Sequence, residues 1–218
     1  METAVFASSA DAQQRLNELG LNEQVLLDAA RRGFLAWASC TENHPPLFRG
    51  NTAWANAICA LREGLTPHGW RAVDEMGLPL TVNASNTIAI TVATGDENTA
   101  HPEKDPTTRS SKGPRTSDLI AVNRCQAQLF DTDRYLPQLL RQPRDRTGMI
   151  LLFHRDMENQ ELRCELSTPS SMSVDGRVDG WIERIILSST PFDGDAWSAE
   201  VGGGPDGSDI DIEIMKRA

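Results

Sequence analysis

The segment from residue 107 to residue 117, TTRSSKGPRTS, combines three cations with several hydroxyl groups and contains no acid. Cationic side chains and hydroxyl donors bind phosphate oxygens. Gly113 lets a ligand approach the backbone closely, and Ser117 is predicted to open a helix, whose N-terminus favours anions. The Walker spacing is absent. The segment predicts a phosphate-binding site, with a solvated loop as the alternative, and its proposed ligands are Arg109, Ser111, Lys112 and Arg115.

Acidic side chains are concentrated near the C-terminus. Residues 175–213 contain ten acids and two basic residues, a net charge of −8, while the whole chain has a net charge of −10. Such a surface repels phosphates and attracts basic proteins. It includes a tryptophan, a residue type enriched among the residues that dominate protein interfaces. We therefore predict a surface that binds a basic partner, with a solvated acidic surface as the alternative, and its proposed contacts are Asp193, Asp195, Trp197 and Glu200.

Three further acids in the same stretch have the chemistry of a hard-metal site, because carboxylate oxygens suit calcium and magnesium. The proposed ligands are Asp209, Asp211 and Glu213. Their spacing does not fit an EF-hand loop, and Lys216 lies one position too far along for a nuclease motif of the Asp…Glu-x-Lys type. The alternative is that these carboxylates face solvent.

Other catalytic signatures are missing from the sequence. The four histidines do not form a His-Glu-x-x-His pair, no Gly-x-Ser-x-Gly motif occurs, no Gly-x-Gly-x-x-Gly motif follows a predicted strand, and no two cysteines have Cys-x-x-Cys spacing. His154 follows an apolar strand and is either a general base or a structural residue. We predict no catalytic residue and no cofactor, and the sequence favours a protein that catalyses no reaction.

The composition is that of a globular protein, with 39% hydrophobic and 24% charged residues. The longest unbroken aliphatic or aromatic run covers residues 149–153, whereas a bilayer needs about 20 apolar residues. The N-terminus also lacks the basic and apolar segments of a secretory signal. We therefore expect a cytoplasmic protein that does not bind membranes.

Hydrophobic periodicity predicts helices in the first third of the chain, over about residues 8–66. Gly20 is predicted to end the first helix in a Schellman motif, and Asn22 to cap the second. A third helix is predicted to run from an N-cap at Asn51 to a C-terminal glycine at Gly64.

The remainder, about residues 70–216, is predicted to be rich in β-strands. Hairpins are expected with a turn at residues 83–86 and between residues 149–154 and 161–166, and further strands at residues 180–187 and 210–214. Residues 95–116 have almost no large apolar side chain and are predicted to form a mobile loop. Helices first and strands later favour an α+β fold, with N-terminal helices followed by a mostly antiparallel sheet, in a single domain over residues 1–218.

Four stretches carry a resemblance to a known group of proteins: FRGNTAW at residues 48–54, VATGDE at 92–97, SSKGPRT at 110–116 and VDGWIERI at 178–185. Together they resemble uncharacterised accessory proteins carried on bacterial integrative and conjugative elements. The resemblance implies a bacterial, mobile-element setting and brings no activity or site residue with it.

Two functional hypotheses follow from the sequence. The first is a non-enzymatic acidic interaction protein that binds a basic protein of the host or the element, as an inhibitor of a defence or DNA-processing protein would. The alternative is a nucleotide- or nucleic-acid-binding protein, or a metal-dependent enzyme, that uses the basic loop at residues 107–117.

Overall fold

The computed structural model describes residues 3–131 and 146–192, without the side chains of residues 127–131. Strand β1 (Ala4–Phe6) precedes the helices α1 (Ser9–Glu18), α2 (Glu23–Ala38) and α3 (Pro46–Leu65). A short 3-10 turn (Thr66–His68) leads into β2 (Arg71–Glu75), β3 (Leu78–Val82) and β4 (Ile88–Thr94). Helix α4 (Pro114–Asp131) follows, and then β5 (Thr147–Asp156), β6 (Glu161–Met172), β7 (Val178–Ile186) and β8 (Thr190–Pro191).

The ends of α1 and α2 follow the local signals in the sequence. The backbone of Gly20 has φ +68°, its N–H donates to Asn17 O at 3.0 Å, and the N–H of Leu21 donates to Leu16 O at 2.9 Å. These are the two hydrogen bonds of a Schellman motif. The side chain of Asn22 accepts from the N–H of Gln24, as an N-cap does. Both predictions are confirmed.

Helix α3 is longer than predicted at both ends. It begins at Pro46, where the fixed φ of proline suits the first helical turn, and the expected cap Asn51 lies inside the helix. Gly64 also lies inside the helix. A Cβ atom on Gly64 would lie 2.7 Å from Cγ1 of Val25, so this glycine permits close approach of α2 and α3. Gly64 was wrongly predicted to end α3 because its role is in packing between helices, and the local sequence gives no signal of that packing.

The strands form one mixed sheet with the order β1-β7-β6-β5-β4-β3-β2, and β8 pairs with β6 beside the end of β7. The pairs β1–β7 and β4–β5 are parallel and the other pairs are antiparallel. The hairpin turn between β3 and β4 and the hairpin of β5 and β6 were both predicted and are confirmed.

Helices α1, α2 and α3 cover one face of the sheet. Their buried side chains, such as Leu26 and Leu61, share a core with alternate residues of the central strands, among them Val92, Leu151 and Leu166. This period-two alternation is the reason that each central strand also presents a second set of side chains to the opposite face.

The opposite face is covered by α4. Ile120 of α4 packs with Ile150, Leu152 and Trp181 of the sheet. The buried side chain of Asn123 donates to Gly148 O at 2.9 Å and to Pro169 O at 3.0 Å, and it accepts from the N–H of Gly148 at 2.8 Å. One amide side chain therefore satisfies backbone groups of two strands and positions the helix.

Residues 95–116 were expected from their composition to form a mobile loop, but residues 114–116 belong to α4, and residues 95–113 cross this opposite face and are hydrogen-bonded to it. Thr99 and Thr108 are fully buried. The indole N–H of Trp181 donates to Pro106 O at 2.9 Å, and the N–H of Ala100 donates to a carboxylate oxygen of Glu165 at 2.7 Å. Hydrogen bonds to polar groups of the sheet hold the loop, whereas most ordered segments are held by buried apolar side chains. The composition of the loop therefore did not reveal that it is ordered.

The fold class is therefore α+β, with N-terminal helices followed by a mostly antiparallel sheet, as predicted. The predicted strand at residues 210–214 lies outside the described residues. None of the helices in the described part of the chain is long and apolar enough to cross a membrane.

Candidate functional site

The basic loop predicted to bind phosphate lies between the end of β4 and the turn that joins β6 to β7. The backbone N–H of Arg109 donates to Thr94 O at 2.9 Å, and that of Lys112 donates to Gly176 O at 2.8 Å. Gly176 has φ +82°, and a Cβ atom there would lie 3.3 Å from Cβ of Ser111. The backbone of the loop is thus fixed by two parts of the sheet that are far apart in sequence.

Several hydroxyl groups of the basic loop are already engaged. Thr107 donates from its hydroxyl to Asp96 at 2.8 Å, and the hydroxyl of Thr108 accepts from the N–H of Val178 at 3.0 Å and donates to Ser110 O at 3.1 Å. Thr116 is buried. The hydroxyls of Thr107 and Thr108 hold the loop in place, which weakens the case that they bind a ligand.

Arg115, the last of the predicted phosphate ligands, lies in the first turn of α4. Its guanidinium forms an ion pair with Asp118 at 2.9 Å and contacts Met76. The predicted helix start at Ser117 is three residues late, because α4 begins at Pro114. A carboxylate in the same turn opposes an incoming phosphate, so the local field is less favourable to anions than the sequence indicated.

The predicted partner-binding and metal-binding residues all lie outside the described residues. The partner-binding set is Asp193, Asp195, Trp197 and Glu200, and the metal-binding set is Asp209, Asp211 and Glu213. Among the residues that the structure describes, no group of three or more histidine, cysteine, aspartate or glutamate side chains is arranged to hold a metal ion.

The structure does show the point from which the acidic segment, residues 193–213, continues. Thr190 and Pro191 pair with Leu162 and Glu161 at the start of β6. The ring of Phe192 then stacks on Phe34 of α2, with 4.4 Å between ring centroids and 6° between ring planes. Phe192, the residue before the acidic segment, is thereby held on the helix-covered face of the sheet.

Next to this tether lies a cluster of aromatic and cationic side chains that the sequence did not predict. Trp37 of α2 stacks near Phe34, with 6.5 Å between centroids. The guanidinium carbons of Arg155 and Arg49 lie 4.0 Å and 5.4 Å from the centroid of the Trp37 ring. Both distances are typical of cation–π contacts. We call Arg31, Leu35, Trp37, Arg49 and Arg155 the Trp37 surface.

Arg31 and Leu35 extend the Trp37 surface along α2. Both are exposed, and both line a shallow cleft that also contains Phe34, Pro191 and Phe192. The residues of this surface come from α2, from α3 and from the end of β5, so only the tertiary structure brings them together. Helical periodicity marks Trp37 as part of a buried stripe, and no local signal marks its arginine neighbours.

His154, considered as a general base, lies on β5 with its Nδ1 3.3 Å from Gly95 O. Burial lowers the pKa of its imidazole below the usual 6.5, and the neighbouring Arg163 and Arg155 lower it further. The hydrogen bond to Gly95 opposes these effects and is the weaker influence. Burial therefore favours the neutral form of His154.

A buried ion pair lies at the centre of the loop-covered face. The carboxylate of Glu165 accepts from Arg184 at 2.6 Å, and both side chains are almost completely buried. Arg184 also donates to Lys104 O at 2.8 Å and to His101 O at 3.1 Å. Both oxygens of the carboxylate and three nitrogens of the guanidinium are hydrogen-bonded, an arrangement suited to holding the loop against the sheet.

No protein-family model matches the chain, and no curated protein or solved structure matches it either.

Proposed function

We propose that this chain is a non-enzymatic interaction protein whose acidic segment binds a basic surface on a protein of its host or of a mobile element. The observation that carries the proposal is the distribution of charge. The 176 described residues contain 21 acids and 16 basic residues, whereas the 21 residues of the acidic segment contain seven acids and no basic residue. Charge of one sign is thus concentrated in a short part of the chain.

Concentrated charge favours a particular kind of partner. A run of carboxylates attracts a basic protein over about 10 Å at moderate ionic strength and accelerates the encounter. It repels nucleic acid and can occupy a nucleic-acid-binding site because it presents the same sign of charge as phosphate. Inhibition of a defence or DNA-processing protein is the use that the predicted mobile-element setting suggests.

The experiment is a pull-down from native host lysate with the tagged full chain, read by mass spectrometry after nuclease treatment of one half. We expect a stoichiometric basic protein that survives nuclease and is released as salt is raised. The test variant is Asp193→Asn/Asp195→Asn/Glu200→Gln, which should lose this protein.

The matched control is Glu97→Gln/Glu103→Gln/Glu158→Gln, which removes three charges at exposed positions of the described surface. This control should retain the partner. Equal loss from both variants would show that total charge, and not the acidic segment, drives the association. Capture of no basic protein would contradict the proposal.

The alternative function, binding of a nucleotide or nucleic acid by the basic loop, has less support. Arg115 is paired with Asp118, and the hydroxyls of Thr107 and Thr108 are occupied. A partner set that disappears on nuclease treatment would favour this alternative. In that case the variant Arg109→Glu/Lys112→Glu/Arg115→Glu should abolish the association.

A further inference from the structure

Three arginines lie around the stacked rings of Phe34 and Trp37. Arg49 and Arg155 contact the ring of Trp37, and Arg31 lines the adjacent cleft. Guanidinium groups are well suited to carboxylates, because their planar fork can donate two parallel hydrogen bonds. The chemistry of this surface therefore fits an acidic peptide that also carries apolar side chains.

A peptide of that description begins beside this surface. Phe192 stacks on Phe34, and Phe34 is one helical turn from Trp37 on α2. The ring centroids of Phe34 and Trp37 are 6.5 Å apart. An extended chain spans about 3.3 Å per residue, so the first few residues after Phe192 are long enough to reach all three arginines.

The acidic segment supplies both kinds of side chain that the surface would bind. It contains seven carboxylates, together with Trp197, Ile210 and Ile212 as apolar residues. Because it is joined to the cleft at Phe192, its docking is intramolecular and needs only a weak intrinsic affinity. We infer that the acidic segment docks on the Trp37 surface of its own chain, with its carboxylates on Arg31, Arg49 and Arg155.

Docking on the chain's own arginines has a consequence for partner binding. A basic partner would have to displace the Trp37 surface from the same carboxylates, so the surface would act as an internal competitor. This consequence rests on the proposed function, whereas the docking itself requires no partner.

The test is hydrogen exchange of the full chain without any partner, followed by mass spectrometry of peptides from residues 193–213. We expect protection of this segment at about 50 mM NaCl and faster exchange at about 500 mM NaCl, because salt screens exposed charge pairs. The variant Arg31→Gln/Arg155→Gln should accelerate exchange of the segment about fivefold or more at low salt, because the docked conformation becomes the minor population.

The matched control is Arg32→Gln/Arg71→Gln, which removes the same charge from α2 and from an edge strand. Arg32 pairs with Glu63, and Arg71 donates to Asn86, so neither belongs to the Trp37 surface. The control should leave exchange of the acidic segment unchanged.

Three outcomes would overturn the inference. These are exchange at the unprotected rate at low salt, equal acceleration in both double variants, and protection that disappears on dilution. The last would assign the segment of a second copy as the occupant. Failure of this test leaves the proposed function standing, because a basic partner needs only the acidic segment, whether or not that segment docks on the Trp37 surface.

Discussion

Glu165 and Arg184 form an ion pair at 2.6 Å between neighbouring strands, and the loop over residues 99–108 closes above it. The pair lies at the point where β6, β7 and the loop meet. It gives the loop a buried anchor: the carboxylate accepts from the N–H of Ala100, and the guanidinium donates to carbonyl groups at His101 and Lys104.

Removal of one member of this pair should destabilise the protein strongly. We expect Arg184→Met to lower the free energy of unfolding by about 3–5 kcal/mol, because the buried charge of Glu165 loses its partner. Urea denaturation measures the change. The matched control is Arg177→Met on the preceding turn, where the ion pair with Asp175 is exposed and the expected loss is within about 0.5 kcal/mol. Similar losses for the two variants would show that the buried pair is not an anchor.

The loop itself should be protected from solvent exchange. The amides of Ala100, Thr108 and Arg109 donate to groups of the sheet at 2.7 Å, 3.0 Å and 2.9 Å, so we expect them to exchange slowly. Glu165→Gln removes the charge of the carboxylate that accepts from the N–H of Ala100. This variant should accelerate exchange of the Ala100 amide more than exchange of the Thr108 amide. Hydrogen exchange followed by NMR separates these amides. Unprotected exchange at all three would restore the mobile loop that composition indicated.

Close packing of α2 on α3 should make Gly33 intolerant of a methyl group. A Cβ atom there would lie 2.8 Å from the carbonyl oxygen of Ala53 and 2.9 Å from Cβ of Ala57. Although alanine favours helices over glycine, we expect Gly33→Ala to destabilise the protein by about 1–3 kcal/mol through overpacking. Thermal and urea unfolding measure the effect.

The comparison for Gly33 is Gly64, where an added Cβ atom would meet a side chain, that of Val25. The double variant Gly64→Ala/Val25→Ala should be more stable than the sum of its single variants predicts, because the smaller side chain makes room. Gly33 has no such remedy, since its contact is partly with backbone. Stabilisation by Gly33→Ala would show that the helices separate more easily than the structure indicates.

His154 should make stability depend on pH in the mildly acidic range. Its pKa is lowered in the folded state, chiefly by burial, so the unfolded state binds a proton more readily. The stability from neutral His154 is therefore present above its unfolded pKa of about 6.5 and is lost as pH falls through the lower folded value. Urea midpoints from about pH 7.5 to about pH 5 should fall less steeply in His154→Gln. Equal slopes in the two proteins would contradict this.

Local signals in the sequence were sufficient for much of the secondary structure. The Schellman glycine Gly20 and the cap Asn22 act through atoms a few residues away, and the alternation in β4 reports directly which side chains face each layer. The fold class followed from the order of these elements. The end of α3 did not, because Gly64 serves a neighbouring helix and not its own terminus.

The candidate sites were less accessible from sequence. The basic loop was recognised by its residue types. However, its hydroxyl groups form hydrogen bonds with Asp96 and Val178, and these hydrogen bonds depend on how the loop crosses the sheet. Arg155 and Trp37 are separated by more than a hundred residues and share no motif. Nothing in the local pattern distinguishes this arginine from one that faces only water.

The sequence by itself therefore determined what short-range physics controls: the end of α1, the cap of α2, the alternation in β4 and the concentration of acids in residues 193–213. The tertiary structure alone decided which polar groups are enclosed and with which partners. Strands and helices that are distant in sequence must pack together before Glu165 and Arg184 can hold the loop. The same packing brings the arginines around Trp37. Packing sets those distances and removes the water around Glu165 and Arg184, and the strength of charge and hydrogen-bond interactions depends on both.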